Sequence, residues 1–201
     1  MNRSFITNLV SLAAFLRSAE LGGRLTRMNS ASSRTRDLVA VAGLACGAVF
    51  GLAGTLVTQA SWRQVFWAVD GIGLVVATSL LAVRFLRNGH DCIAAGFLVY
   101  AIAESVILSG TPAGLAASIP SFGAGVALWA TSLIMTSIPK GFTTWIRVIA
   151  CLAAVLFAIT ASRIFLGEQL SPTASPLPFF AYPFLILTFG GWSWTLLRRE
   201  G

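Results

Sequence analysis

Leu38–Ala60 reads LVAVAGLACGAVFGLAGTLVTQA, 23 residues without one charged side chain. A helix rises about 1.5 Å per residue, so this stretch is long enough to cross a hydrocarbon core of about 30 Å. Five more stretches of the same kind follow, at about Val65–Leu86, Cys92–Gly110, Gly114–Ser137, Thr144–Leu166 and Leu177–Leu197. None alternates apolar and polar residues with the period of two that a membrane barrel strand requires. The expected fold is therefore all-α: an integral membrane protein whose residues 37–201 form an up-down bundle of six transmembrane helices.

Composition agrees. Of 201 residues, 56% are hydrophobic and only 10% charged, and the mean hydropathy is +0.82. A soluble domain carries roughly 25% charged residues. With so few, a water-facing surface could not be covered, so lipid is expected to be the solvent for most of the chain.

The breaks between spans carry turn chemistry: Ser61-Trp62-Arg63-Gln64, Arg87-Asn88-Gly89-His90-Asp91, Ser109-Gly110-Thr111-Pro112 and Pro139-Lys140-Gly141. Short connections enforce neighbouring helices. Gly167–Pro176 is the longest polar break.

The basic residues set the expected orientation. Arg34, Arg36, Arg84, Arg87, Lys140, Arg147, Arg198 and Arg199 fall on one side, Arg63 and Arg163 on the other. Arg3, Arg17, Arg24 and Arg27 add to the first group. An excess of Lys and Arg marks cytoplasmic loops. Both termini are thus expected in the cytoplasm, N-in and C-in, in a bacterial inner membrane. The net charge of +7 then serves orientation and contact with anionic headgroups. No basic run with interleaved aromatics suits nucleic acid, so the bilayer is the expected partner. Trp62, Trp67, Phe179 and Phe180 are expected as anchors at the outer rim, and Trp145, Trp192 and Trp194 at the inner one.

Residues 1–36 differ. Phe5, Leu9, Leu12 and Leu16 recur at helical spacing among arginines. Three readings compete: an interfacial amphipathic helix, an Arg- and Ser-rich targeting segment, or a stretch of which residues 1–27 precede the natural start at Met28.

Gly43, Gly47 and Gly51 lie four apart in the first span, and Gly54 follows one turn later. Glycines on one face let another helix approach closely and gain dispersion contacts. That helix belongs to the same bundle, to a second copy or to another membrane subunit.

Two carboxylates sit inside spans. Asp70 lies about six residues into the second and Glu104 about six from the end of the third, roughly 9 Å beneath the same boundary. Tyr182 in the sixth span has a similar depth. Arg163, near the end of the fifth, is positioned to reach down to them. Thr55, Thr58, Gln59, Ser105, Ser118 and Ser121 share this half. An ionised acid in hydrocarbon costs about 2.5–3.5 kcal/mol at a helix centre, so both acids should point inward. Asp70, Glu104, Arg163 and Tyr182 are the candidate substrate or proton site. The competing reading is a structural clamp, with Arg163 or Arg63 neutralising an acid. Pro183 is expected to kink the sixth span, and Pro120 has the same potential in the fourth.

Other chemistry is not signalled. Cys46, Cys92 and Cys151 have no CxxC partner and read as small hydrophobes. His90 is the single histidine and sits in a loop. No HExxH, P-loop, GxGxxG or GxSxG occurs. No cofactor, metal or catalytic residue is therefore expected. The leading expectation is a small transporter or permease-like protein using an outward-facing polar pocket. The alternatives are a non-catalytic membrane subunit or assembly factor packing through its glycine face, and an enzyme of the outer leaflet with the same acids as general acid and base.

Overall fold

The computed structural model describes residues 33–198. Residues 1–32, on which the amphipathic, targeting and Met28 readings fall, and 199–201 lie outside the described residues. The chain divides between Arg36 and Asp37, and the bundle lies in the second unit.

Among the described residues six helices are long and apolar enough to cross a membrane, and there is no strand. They are α1 (Ser33–Leu56), α2 (Ala60–Arg87), α3 (Asp91–Gly110), α4 (Ile119–Ser137), α5 (Thr144–Phe165) and α6 (Tyr182–Arg198). Short 3₁₀ turns, Thr111–Ala113 and Phe179–Ala181, follow α3 and precede α6. Helices adjacent in sequence pack together from α2 through α6. The outward faces are apolar: Leu98 is 53% and Val155 55% exposed. Such a surface is stable only in lipid. The chain is a multi-pass membrane protein.

The helix ends follow local chemistry. Asp91 sits in the first turn of α3, where the helix dipole favours a negative charge, and Arg84 and Arg87 in the last turn of α2, where it favours a positive one. Two arginines cap the helix before their own. Arg63 Nη2 donates to the Val57 carbonyl oxygen (2.7 Å) just beyond α1, and Arg147 Nη2 donates to the Ile138 carbonyl oxygen (3.0 Å) at the end of α4. These bonds satisfy carbonyls that a helix end leaves without partners. They also explain a shifted boundary. Ser61-Trp62-Arg63-Gln64 is not the α1–α2 connection. It forms the first turn of α2, and the chain turns at Val57–Gln59.

The expected kink at Pro183 is absent, because α6 begins at Tyr182 and the proline occupies its first turn. There the missing N–H would have had no partner anyway. Pro120 plays the same role in α4, which begins at Ile119 rather than Gly114.

The core is unusually aromatic. Phe85, Phe97, Trp192, Tyr100, Trp129, Phe157 and Tyr182 form a continuous series of ring contacts, with the Phe97–Trp192 centroids 4.7 Å apart and Tyr100 stacked on Trp129 at 5.9 Å. Trp192, expected at the rim, is 1% exposed in the middle of this series. Its position on the inward face of α6 overrides the general preference of tryptophan for the interface.

The glycine face of α1 is covered by α2. A Cβ at Gly43 would collide with the Gly73 carbonyl oxygen, and one at Gly47 with Leu74. A Cβ at Gly51 would lie 2.9 Å from Asp70 Oδ2, and one at Gly54 would strike the Trp67 ring. At the other end of this pair Asp37 forms an ion pair with Arg84. The two helices are thus in close contact along their length, and paired by charge at one end.

Candidate membrane-embedded acid pocket

Small residues on α1 permit the close approach that brings the Asp70 carboxylate of α2 against Gly51. Glu104 projects from α3 toward α4, where Trp129 Nε1 donates to its Oε1 at 3.0 Å. The Tyr100 hydroxyl, one turn earlier on α3, neighbours the same carboxylate without reaching formed hydrogen-bond geometry. Glu104 is 2% exposed. Asp70 is half-buried as a residue, yet its Oδ1 atom is wholly buried and accepts no hydrogen bond.

Both acids line one cavity of about 70 Å³. Its walls come from α1, α2, α3, α4 and α6, with Thr55, Trp67, Thr111, Ser118, Phe122, Trp129, Tyr182 and Phe189 among them. Pro172, from the α5–α6 connection, closes one side. Tyr182 is anchored by donating its hydroxyl to the Pro172 carbonyl oxygen at 2.8 Å. The cavity therefore lies toward the end of the bundle that carries the α1–α2, α3–α4 and α5–α6 connections. That end is covered by loops because α4 and α6 are short, 19 and 17 residues against 28 in α2.

Of the four residues expected to form one site, three meet here: Asp70, Glu104 and Tyr182. Arg163 does not. Its guanidinium forks onto Glu168, with Nε 2.9 Å from Oε1 and Nη2 2.6 Å from Oε2. The hydrogen bond from Arg163 holds the Glu168 carboxyl below its ordinary value. An acid five residues along the chain captures Arg163 locally, before it can reach across the bundle. Arg63, the other proposed counter-charge, caps α1 and lies over the Trp67 ring at 5.9 Å. Among the described residues no cationic side chain pairs with Asp70 or Glu104, and no group of three or more His, Cys, Asp or Glu residues could hold a metal ion.

The sequence reading missed Trp129 and Tyr100. Trp129 lies nearly three turns into α4, and its depth relative to Glu104 could have flagged it. Its donor role depends on how α3 and α4 are rotated, which no single stretch encodes.

Energetically the site is one-sided. An ionised acid costs about 2.5–3.5 kcal/mol at a helix centre on insertion scales, and no more than that toward the rim where these two lie. A hydrogen bond to a charged group returns about 1.5–3 kcal/mol. The Trp129 bond therefore offsets at most one of the two acids.

No family model, no curated protein and no solved structure matches this chain.

Proposed function

We propose that the chain is a small transporter, permease-like, in which Asp70 and Glu104 form the site that takes up a solute or a proton within the membrane. One observation carries this reading: two carboxylates line the same intramembrane cavity, and among the described residues no cation neutralises them. Intramembrane acids of this kind mark substrate and proton paths. With the helices alternating up and down and both termini in the cytoplasm, as the basic residues favour, the cavity lies in the outer half of a cytoplasmic membrane. The geometry gives less support to a subunit that docks through its glycine face, because α2 already covers that face.

The test is solute flux in proteoliposomes. Purified full-length protein is reconstituted, a pH gradient or membrane potential is imposed, and uptake of small cationic, neutral and anionic solutes is compared with empty vesicles. Protein-dependent uptake that disappears in Glu104→Gln, with the variant still monodisperse and helical, supports transport. Uptake no greater than in empty vesicles for every class overturns it.

A further inference from the structure

We infer that the pocket takes a small monovalent organic cation, of the alkylammonium or guanidinium type. The inference rests on the transport reading of the same pocket and names its substrate class.

Three features select this chemistry. The first is charge. Asp70 and Glu104 line the cavity with no cationic side chain of the described residues paired to either, and the buried Asp70 Oδ1 has no hydrogen-bond donor. A ligand bearing N–H donors and a positive charge would supply both. The second is the wall. Trp67, Phe122, Trp129, Tyr182 and Phe189 surround the acids. Aromatic rings attract cations through their quadrupoles and offer apolar contact to alkyl groups. The third is size. Sites for drug-sized ligands run to about 300–1,000 Å³, and this cavity has about 70 Å³. It accommodates a handful of heavy atoms, which methylammonium and guanidinium satisfy and an amino acid or sugar does not. An anion is disfavoured by both carboxylates.

Binding is measured on the full-length protein in detergent, by the change in tryptophan fluorescence expected from a cation beside Trp67 and Trp129. The probes are methylammonium and guanidinium. Methanol and urea, similar in size and neutral, and acetate, an anion, are the controls. Saturable binding of the two cations is expected, with none for the controls. Asp70→Asn and Glu104→Gln should each weaken binding by about tenfold or more, since each replaces one of the two acids that face the ligand. Urea binding as well as guanidinium, or no saturable binding of either cation, overturns the inference.

If a variant fails to fold, wild-type protein decides. A carbodiimide labels buried carboxyl groups, and methylammonium should protect Asp70 and Glu104 from it, as mapped by mass spectrometry. Unchanged labelling overturns the inference. The two proposals fail separately. Cation binding without flux removes transport and leaves the ligand class standing. Flux of a neutral or anionic solute without cation binding does the reverse.

Discussion

Glu104 and Trp129 share a buried hydrogen bond between α3 and α4, and the two partners should respond differently to change. Glu104→Gln keeps an oxygen that can accept from Trp129 Nε1 and replaces the buried acid with a neutral amide. It should melt at the same temperature as wild type in detergent, or higher, while flux is lost. Trp129→Phe leaves the Glu104 carboxylate without its donor. It should destabilise the protein by about 1–3 kcal/mol, the cost of an unsatisfied buried group, seen as a lower melting temperature. If Glu104→Gln lowers the melting temperature as far as Trp129→Phe, the acid is a structural clamp. Adding Arg163→Gln to Glu104→Gln should change nothing in the melt. Arg163 is bound to Glu168 at the surface and makes no pair with Glu104. Any rescue by the double change would mean that Arg163 reaches the pocket.

Helix packing offers a sharper contrast, because two glycines in similar settings have opposite surroundings. A Cβ at Gly43 meets the backbone of α2, which cannot turn aside as a side chain can. Gly43→Ala must push α1 from α2 and should cost about 1–3 kcal/mol, as overpacking does. Gly190, within α6, has nothing within 4 Å of an added Cβ. Gly190→Ala removes backbone freedom in a helix and should raise stability by up to about 1 kcal/mol. Melting temperatures of the two variants should therefore move in opposite directions, and equal shifts would contradict the close α1–α2 contact. At this scale the sequence was informative where a local pattern decides. Glycine spacing located the tight face of α1, and unbroken hydropathy located six helices. It was misleading where a partner decides. Depth alone assigns Arg163 to acids across the bundle, yet Glu168 lies closer along the chain. The apolar residues before Pro183 make it read as interior, yet Phe179–Ala181 form a 3₁₀ turn rather than helix. Trp192 carries no mark distinguishing a core tryptophan from an interfacial one.

For the whole molecule the basic residues set which side of the membrane the pocket faces, and they contribute unequally. Arg63 and Arg147 have capping roles, Arg84 pairs with Asp37 and Arg163 with Glu168, so each of these has a packing reason to be where it is. Orientation nevertheless follows Lys and Arg placement rather than net charge, and acidic partners subtract little. The bias survives even when the two capping arginines are set aside, since Arg84, Arg87, Lys140 and Arg198 remain at one end and Arg163 alone at the other. Two single-cysteine positions read the result, after Cys46, Cys92 and Cys151 are replaced. Gln169→Cys lies in the exposed α5–α6 connection and Asn88→Cys in the exposed α2–α3 turn. A membrane-impermeant thiol reagent on intact cells should label the first, and the second only after permeabilisation. The reverse pattern would place the termini outside. Because Pro172 of the α5–α6 connection lines the cavity, the Gln169 result also fixes the side from which the carboxylates are reached. An inverted protein would then meet its solute in the cytoplasm, reversing the direction of entry into the pocket while leaving its preference for a cation unchanged.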